Sequence, residues 1–263
     1  MTQTSKTALI TGASGGIGLE LARVFAEQGY GLVLVARSME KLESLAEELR
    51  AAHGTIVEVI GIDLARGDAA EEVFRETAER DVEVDVLVNN AGFATYGPFH
   101  RKTREHELEM VQLNVASLTH LTHLFLPGMV ERGRGKVLNV ASTAAFQPGP
   151  LMAGYFASKA YVLHFSEAIA VELEGTGVSV TALCPGPTAS DFQKRANMEE
   201  SKLLRAPMMS SRKVAEVGYR ALEKGRTVVI PGTANKVGAL VGRLLPRKTL
   251  SKLVFRVQAP ERI

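Results

Sequence analysis

The sequence predicts one α/β domain, a doubly wound (Rossmann) parallel sheet of seven strands with helices on both faces. Short aliphatic and β-branched runs recur along the chain, as is typical of strands buried on both faces. Amphipathic helical segments separate these runs, and such alternation requires parallel strands joined by right-handed crossovers. A glycine-rich turn follows the first run. The predicted strands are Thr7–Ile10, Gly31–Val35, Ile56–Gly61, Asp85–Val88, Lys136–Val140, Ser179–Leu183 and Thr227–Ile230.

The composition is that of an ordinary globular protein. The chain has 263 residues, 46% hydrophobic and 23% charged, which suffices for one large core and excludes disordered and fibrous classes. The single cysteine, Cys184, excludes an intramolecular disulfide and a cysteine-cluster metal site, and we expect it to be buried. His120 and His123 have helical spacing but no other ligand in the pattern, so no metal is predicted. A net charge of +2 does not favour nucleic-acid binding.

The N-terminal residues determine the expected location. Residues 1–7 are polar and lack the basic and apolar regions of a secretory signal. The longest apolar runs fall short of the ~20 residues that span a bilayer. With one cysteine in the chain, these features predict a cytoplasmic protein in a reducing compartment.

The glycine-rich turn lies between the first strand and a predicted helix, Leu19–Gln28. Three glycines in it have the spacing for a tight turn, close approach to a pyrophosphate and close packing of helix on strand. The helix N-terminus offers N–H groups to the anion. An ordinary strand–helix turn also uses glycine, but the context favours a dinucleotide site. The glycines are Gly12, Gly16 and Gly18, and Ser14 and Ile17 are further contact candidates.

Further motifs follow the later strands. They are Asn89-Asn90-Ala91-Gly92, Asn114, Ser142, Tyr155 to Lys159, and Pro185-Gly186. With the glycine-rich turn, this ordered set resembles the short-chain dehydrogenase/reductase family over roughly residues 5 to 232. The resemblance implies an oxidoreductase that acts on CH–OH groups with a nicotinamide cofactor. Leu32–Arg37 and Val229–Gly232 are similar to the broad bacterial subgroup that includes ketoacyl and hydroxysteroid reductases.

The end of the second strand bears on the choice of cofactor. An acidic residue here would bond the adenosine ribose of NAD and repel a 2′-phosphate. The sequence instead has Ala36, followed by Arg37 and Ser38, which we interpret as a clamp for the 2′-phosphate of NADP. NADP (NADPH) is therefore the predicted cofactor. The alternative is that Arg37 only solvates the start of the helix Met39–Arg50.

The resemblance implies contacts along the rest of the cofactor. Asp63 and Leu64 would face the adenine, although a turn aspartate is an alternative for Asp63. Small residues after the fourth strand would let the backbone approach the ribose and nicotinamide, and a hydroxyl after the sixth would meet the carboxamide. These positions are Asn90, Ala91 and Gly92, and then Pro185, Gly186 and Thr188.

Four residues are predicted to be catalytic: Asn114, Ser142, Tyr155 and Lys159. Tyr155 and Lys159, four residues apart, share one face of a helix. The Lys159 ammonium would lower the pKa of the Tyr155 phenol, the proton donor, and both residues would contact the cofactor. Ser142 would orient the substrate oxygen, and the resemblance implies that Asn114 holds a water linking Lys159 to solvent. Each residue alone has an ordinary structural explanation; only their joint spacing favours catalysis.

The segment of residues 187–211 is expected to form a lid or substrate wall, with a surface loop as the alternative. Its apolar residues favour a hydrophobic ketone, aldehyde or ketoacyl substrate. A non-catalytic dinucleotide-sensing or membrane-surface scaffold is the alternative function. The apolar candidates for the wall are Phe93, Phe146, Leu151, Met152, Phe192, Met198, Met208 and Met209.

Two long helices, Thr103–Phe125 and Ala153–Leu173, predict a homodimer or homotetramer. The resemblance implies that these helices pair between subunits. The second has apolar residues beyond one stripe, which indicates a helix covered on two sides.

Residues 233–263 form a basic tail after the predicted catalytic domain, residues 1–232. Residues 236–263 hold seven Lys or Arg and one acid. A basic amphipathic helix here would give peripheral contact with an anionic membrane. The favoured alternative is that its apolar stripe packs on the lid or on a partner subunit. The apolar repeats that flank Pro246 are Val237, Leu240, Val241, Leu244 and Leu245, then Leu250, Leu253, Val254 and Val257; Lys248, Lys252 and Arg256 lie opposite the second repeat.

Overall fold

The buried aliphatic runs form strands where the sequence predicts them. The computed structural model describes residues 6–190, 192–196, 198 and 208–259. The last sheet strand is shorter than predicted, and the third begins one residue later because Ile56 is 70% exposed. The strands are β1 (Thr7–Thr11), β2 (Gly31–Ala36), β3 (Val57–Gly61), β4 (Val86–Asn89), β5 (Gly135–Val140), β6 (Val178–Leu183), β7 (Thr188–Ala189), β8 (Met209–Ser210) and β9 (Val228–Val229).

Seven of these strands form one parallel sheet in the order β3–β2–β1–β4–β5–β6–β9, which confirms the predicted fold class. The order reverses between β1 and β4. In an open α/β sheet, a ligand binds beyond the carboxyl ends of the strands at such a reversal. The ends of β1 and β4 therefore mark where a site is expected.

Helices cover both faces of the sheet. The core on one face includes Phe25, Leu42 and Val214, and that on the other includes Val73 and Phe125. The helices are α1 (Gly16–Glu27), α2 (Met39–His53), α3 (Ala69–Glu79), α4 (Arg104–Val111), α5 (Leu118–Glu131), α6 (Ala153–Glu172), α7 (Phe192–Arg195), α8 (Ser211–Glu223), α9 (Thr233–Leu244) and α10 (Arg247–Gln258).

Helix α2 has the one buried stripe that is expected of an amphipathic segment between strands. Leu42, Leu45, Ala46 and Leu49 are its buried residues, and Gly54 ends the helix in the left-handed conformation. Cys184 is also fully buried, as expected, and burial raises the pKa of its thiol to about 12.

The helix predicted at Thr103–Phe125 is not uniform. A π-helical segment, Gln112–Ser117, separates α4 from α5. Such segments place one extra residue in a helical turn and occur mostly at functional sites. This one carries Asn114, which is 1% exposed.

The segment after β6 is partly described. Its ends are joined by a short parallel pair in which Thr188 lies opposite Met209 and Ala189 opposite Ser210. No strand is predicted here, because strands of two residues leave no periodicity in the sequence. Residues 191, 197 and 199–207 of the predicted lid lie outside the described residues.

The C-terminal tail forms two helices on either side of Pro246, as its apolar repeats predicted. Leu250 and Val254 of α10 are buried, and the Tyr96 hydroxyl donates to the Gln258 carbonyl at 2.5 Å. The tail is therefore packed on the domain through α10. Within the described residues, every helix is too short or too polar to cross a membrane.

Candidate active site

The glycine-rich turn is built for close approach. Gly12 has φ +67°, and a Cβ placed there would lie 2.9 Å from Ala91 Cα. A Cβ on Gly18 would lie 2.3 Å from the Gly12 carbonyl oxygen, so α1 packs directly on the turn. A Cβ on Gly15 would meet open space. Among the residues that the structure describes, no side chain caps the N-terminus of α1, and the first turn contains no acidic residue. The uncapped helix N-terminus thus fits a pyrophosphate.

Thr11 and Asn90 hold this turn against β4. The Thr11 hydroxyl donates to the Val88 carbonyl at 3.1 Å and accepts from the N–H groups of Asn90 and Ala91 at 2.9 and 3.0 Å. Asn90 Nδ2 donates to the Thr11 carbonyl at 2.9 Å. The side chain of Asn90 is therefore bonded to the turn. The sequence interpretation missed Thr11, whose signal is a hydroxyl at the end of a buried apolar strand.

The ends of β2 and β3 bring the predicted adenosine residues together. Arg37 is 67% exposed on its side chain, and its Nη1 lies 3.9 Å from Asp63 Oδ2. Asp63 Oδ1 also accepts from the Ala65 N–H at 3.0 Å, so it is a turn aspartate as well. Ala36 is buried, Ser38 precedes α2, and the Leu64 carbonyl accepts from the Ser117 hydroxyl.

Tyr155 and Lys159 lie side by side on α6. Their exposed fractions are 9% and 5%, and Lys159 Nζ is 5.9 Å from the Tyr155 ring centroid. Lys159 Nζ donates to the Val140 carbonyl at 2.7 Å. Burial raises the pKa of Tyr155 to about 12, against a lowering by the Ser142 hydroxyl, so the expected lowering by Lys159 is not found in the free protein. Burial lowers the pKa of Lys159 to about 8.

Ser142 is fixed at the carboxyl end of β5. Its Oγ accepts from the Ala144 N–H at 3.1 Å and lies 3.4 Å from the Pro185 carbonyl, to which it donates. Because the same hydroxyl lowers the pKa of Tyr155, the structure brings these two predicted catalytic residues together.

Asn114 is adjacent to this group, and its amide is fully engaged. Its Nδ2 donates to the Phe93 carbonyl at 2.9 Å and to Ser158 Oγ at 3.1 Å, and its Oδ1 accepts from the Phe93 N–H at 3.1 Å. A Cβ on Gly92 would lie 2.8 Å from Asn114 Oδ1 and 3.6 Å from Lys159 Nζ. Ser158, which sequence reasoning did not single out, links Asn114 to the Tyr155 carbonyl at 2.7 Å.

The segment after β6 completes the edge of the site. The Pro185 carbonyl accepts from the Thr143 N–H at 2.8 Å, and the Thr188 hydroxyl donates to the Gly186 carbonyl at 2.9 Å. A Cβ on Gly186 would lie 2.4 Å from Asn235 Oδ1 of α9. The tail thus contacts the predicted carboxamide end, which the sequence did not reveal.

An apolar wall surrounds Tyr155. Phe192 lies 5.5 Å from it between ring centroids, and Phe93 packs against the same cluster. Phe146 and Met209 instead pack on other clusters, and Met208 is 43% exposed. Leu250 and Val254 also belong to the cluster around Tyr155, in agreement with the favoured prediction that the apolar stripe of the tail packs on the lid. Its buried members are Ala94, Met110, Ala144, Met152, Tyr155, Phe156, Ala196, Met198, Leu250 and Val254.

The histidines have other surroundings. The His106 ring stacks on Phe93 at 4.8 Å, and His120 Nε2 lies 3.6 Å from Glu71 Oε1. Across the described ranges, no three His, Cys, Asp or Glu side chains are grouped as metal ligands.

A family model and several known proteins match most of this chain. A short chain dehydrogenase family model matches residues 6–201. A short chain dehydrogenase from Pseudocercospora fijiensis is 36% identical over 189 residues, 71% of this chain and 61% of that protein. The ketoacyl reductase HetN from Nostoc is 31% identical over 233 residues, 87% of this chain and 79% of that protein. Matches span from 51% to 79% of the length of these and similar curated relatives.

A solved structure extends the comparison to nearly the whole chain. The short-chain dehydrogenase from Sphingobium yanoikuyae, in complex with NADPH, is 34% identical, with a TM-score of 0.81 over 98% of this chain and 100% of that one. The chain therefore belongs to the short-chain dehydrogenase/reductase family, whose members are oxidoreductases that act on CH–OH groups with a nicotinamide dinucleotide.

Proposed function

We propose that the protein interconverts a carbonyl and a secondary alcohol on a hydrophobic substrate, with NADP(H) as cofactor. The observation that carries this proposal is the meeting of Ser142, Tyr155 and Lys159 in a buried, apolar-walled site. These residues come from a loop after β5 and from α6.

When bound, the nicotinamide supplies or accepts the hydride. Ser142 Oγ holds the substrate oxygen beside Tyr155, and Tyr155 Oη donates a proton to that oxygen during reduction. Since burial raises its pKa to about 12, Tyr155 is in its acid form at neutral pH in the free protein. This is the form that reduction requires.

Lys159 supports the proton transfer electrostatically. With a pKa of about 8, it is mostly charged at pH 7, and it stabilises the Tyr155 phenolate as that phenolate forms. One of its three N–H donors bonds the Val140 carbonyl, which leaves two for the cofactor ribose and the phenol. Asn114 fixes the Phe93 backbone beside Lys159, where the resemblance implies a water that links Lys159 to solvent.

The preference for NADP rests on Arg37. Ala36 removes the charge that would repel a 2′-phosphate, and the exposed Arg37 guanidinium has a contact of 3.9 Å with Asp63 to give up. The NADPH complex of the S. yanoikuyae relative supports this choice. Contacts of Gly12, Ser14, Gly16, Ile17, Gly18 and Ser38 with the phosphates, and of Leu64, Asn90, Ala91, Gly92, Pro185, Gly186 and Thr188 with the remainder, belong to the same proposal.

The apolar wall supports a hydrophobic ketone, aldehyde or ketoacyl substrate. Its aromatic and methionine side chains, such as Phe192 and Met152, adapt to apolar chains or rings. The relative HetN is named a ketoacyl reductase, which agrees with an acyl carbonyl. We keep residues 1–232 as the catalytic domain, with the lid at about 187–211, in a cytoplasmic homodimer or homotetramer.

The test is NADPH oxidation against aliphatic, aromatic, steroid and acyl-thioester carbonyls. Tyr155→Phe keeps the ring and removes the acidic proton, so turnover on the best substrate should fall at least about 100-fold while NADPH affinity stays within a few-fold. Near-normal turnover of the variant would refute the proposed mechanism. NADPH binding without reduction of any carbonyl would instead favour a dinucleotide-sensing scaffold.

A further inference from the structure

Helix α9 is packed on the domain by its small residues. Ala239 is 7% exposed, and a Cβ on the buried Gly242 would lie 3.4 Å from the Phe146 carbonyl oxygen. The large apolar side chains of the helix face the other way. Val237, Leu240, Val241 and Leu244 are 56%, 58%, 43% and 77% exposed. Their spacing of i, i+3, i+4 and i+7 forms one outward stripe. In a helix that only packs on the core, the large apolar side chains would face inward instead.

Helix α10 divides its apolar residues between two faces. Leu250 and Val254 are 4% and 6% exposed and belong to the wall around Tyr155. Leu253 and Val257 are both 46% exposed. We call the outward stripe of α9 together with Leu253 and Val257 the C-terminal surface.

The charge of these helices is of one sign. Residues 233–258 contain six Lys or Arg and no Asp or Glu. Lys236, Arg247, Lys248, Lys252 and Arg256 are exposed. In the sequence, Lys236, Lys252 and Arg256 immediately precede Val237, Leu253 and Val257 of the C-terminal surface. Exposed aliphatic side chains with cations beside them in the sequence match a surface that is apolar inside and anionic at its boundary, which describes an anionic lipid bilayer.

The charge argues against a second copy of this chain as the occupant. In a two-fold interface the same patch meets itself, so the cations of both tails would approach without a carboxylate from either. A nucleic acid would satisfy the cations but leave the outward aliphatic stripe without an apolar partner.

We propose that the C-terminal surface docks the protein on an anionic lipid bilayer. This inference stands apart from the proposed reaction, because none of its residues lies among the predicted cofactor or catalytic residues. If the proposed function also holds, α10 joins the two, since its inner face lines the substrate wall while its outer face meets lipid. A substrate dissolved in the bilayer would then be close to Tyr155.

Flotation of the full-length protein with vesicles tests the proposal. We expect the protein to float with phosphatidylglycerol-containing vesicles, to stay behind with pure phosphatidylcholine, and to be released by salt. Leu240→Ser with Leu244→Ser, and separately Lys248→Glu with Lys252→Glu, should each weaken binding about tenfold or more. The changed residues are exposed, so the fold should persist, which the thermal midpoint checks.

Matched controls distinguish binding through the C-terminal surface from nonspecific hydrophobic or electrostatic adsorption to the vesicles. Ile56→Ser with Leu108→Ser removes two apolar side chains that are 70% and 61% exposed elsewhere. Lys213→Glu with Lys224→Glu makes the same charge change on exposed residues outside the tail. Both controls should float like the wild type.

The result decides in either direction. Failure of the wild type to bind anionic vesicles, or equal losses in tail variants and controls, overturns the proposal. A smaller oligomer for Leu240→Ser with Leu244→Ser, with no vesicle binding by the wild type, would assign the surface to subunit contact instead. Since flotation does not require turnover, its outcome is independent of the carbonyl assays.

Discussion

Tyr155 and Lys159 share one buried space, and burial acts on them in opposite senses. An apolar environment disfavours the charged form of each, so the pKa of the phenol rises to about 12 and that of the ammonium falls to about 8. In the free protein at pH 7 the pair is therefore a neutral acid beside a cation, which is the state that the proposed reduction requires. The same burial makes the ammonium costly for folding wherever it is charged.

This cost predicts a pH-dependent effect of Lys159→Met on stability. The folded pKa, about 8, lies below the unfolded value of 10.5, so the unfolded chain binds more protons between those values and stability rises with pH there. The variant lacks this dependence. Its stability relative to wild type should therefore be about 2 kcal/mol more favourable at pH 7 than at pH 10. Urea denaturation at both pH values measures this, and equal differences would contradict it.

The exposed side chain of Arg37 is predicted to discriminate between NADPH and NADH. Arg37→Ala should weaken NADPH binding by roughly 1.5 kcal/mol, the lower end for a hydrogen bond to a charged group because the side chain is exposed, and leave NADH binding almost unchanged. Titration of both cofactors measures the difference. Arg75→Ala is a matched control, with a side chain 65% exposed. Equal losses for NADPH and NADH would remove Arg37 from the phosphate.

The junction of the strands β1 and β4 depends on the hydroxyl of Thr11. Thr11→Val keeps the shape of the side chain but leaves the N–H groups of Asn90 and Ala91 without their partner, so the protein should lose about 2 kcal/mol or more of stability. Thr181 on β6 is the control, because its buried hydroxyl has no hydrogen-bond partner among the described residues. Thr181→Val should be neutral or slightly stabilising. Chemical denaturation compares the two, and similar losses would refute the role of Thr11.

The elements that the sequence predicted well are those whose signal is local. A strand such as β2 is buried at every residue, so its aliphatic run is sufficient to locate it. The π-helical segment around Asn114 leaves no such signal, because it accompanies contacts with Phe93 and Ser158, 21 and 44 residues away. Likewise, helical periodicity located α9 and α10 but did not tell which apolar residues of α9 face outward.

The candidate site depends both on local sequence patterns and on contacts between residues that are distant in the sequence. The joint spacing of Ser142, Tyr155 and Lys159 predicted that they would meet, and the sheet brings them together. The buried positions of Leu250 and Val254 agree with the favoured prediction that the apolar stripe of the tail packs on the lid. The contact of Asn235 with Gly186 could not be predicted, since nothing near Asn235 in the sequence indicates it.

Subunits of the whole molecule are predicted to pair through α5 and α6. On their outer side, Tyr161 is 40% exposed, its ring stacks on Phe165 at 5.7 Å between centroids, and its hydroxyl lies 3.0 Å from that of Thr119. We expect a dimer or tetramer in sedimentation velocity, and a smaller species for Tyr161→Glu because the charge would be buried on pairing. Ile56→Glu is the control. A wild-type monomer at micromolar concentration would contradict this.

The strand order also separates the residues predicted to select the nucleotide from the residues that line the substrate wall. Arg37 and Asp63 follow β2 and β3 at one end of the sheet, whereas Ser142 and Thr188 follow β5 and β6 towards the other, where α10 closes the wall. Changes in the first region would alter the nucleotide used, and changes in the last helix would reshape the substrate wall. The two traits can therefore be inherited or engineered independently, and exchange of the C-terminal helix between relatives is a direct route to new substrates with an unchanged coenzyme.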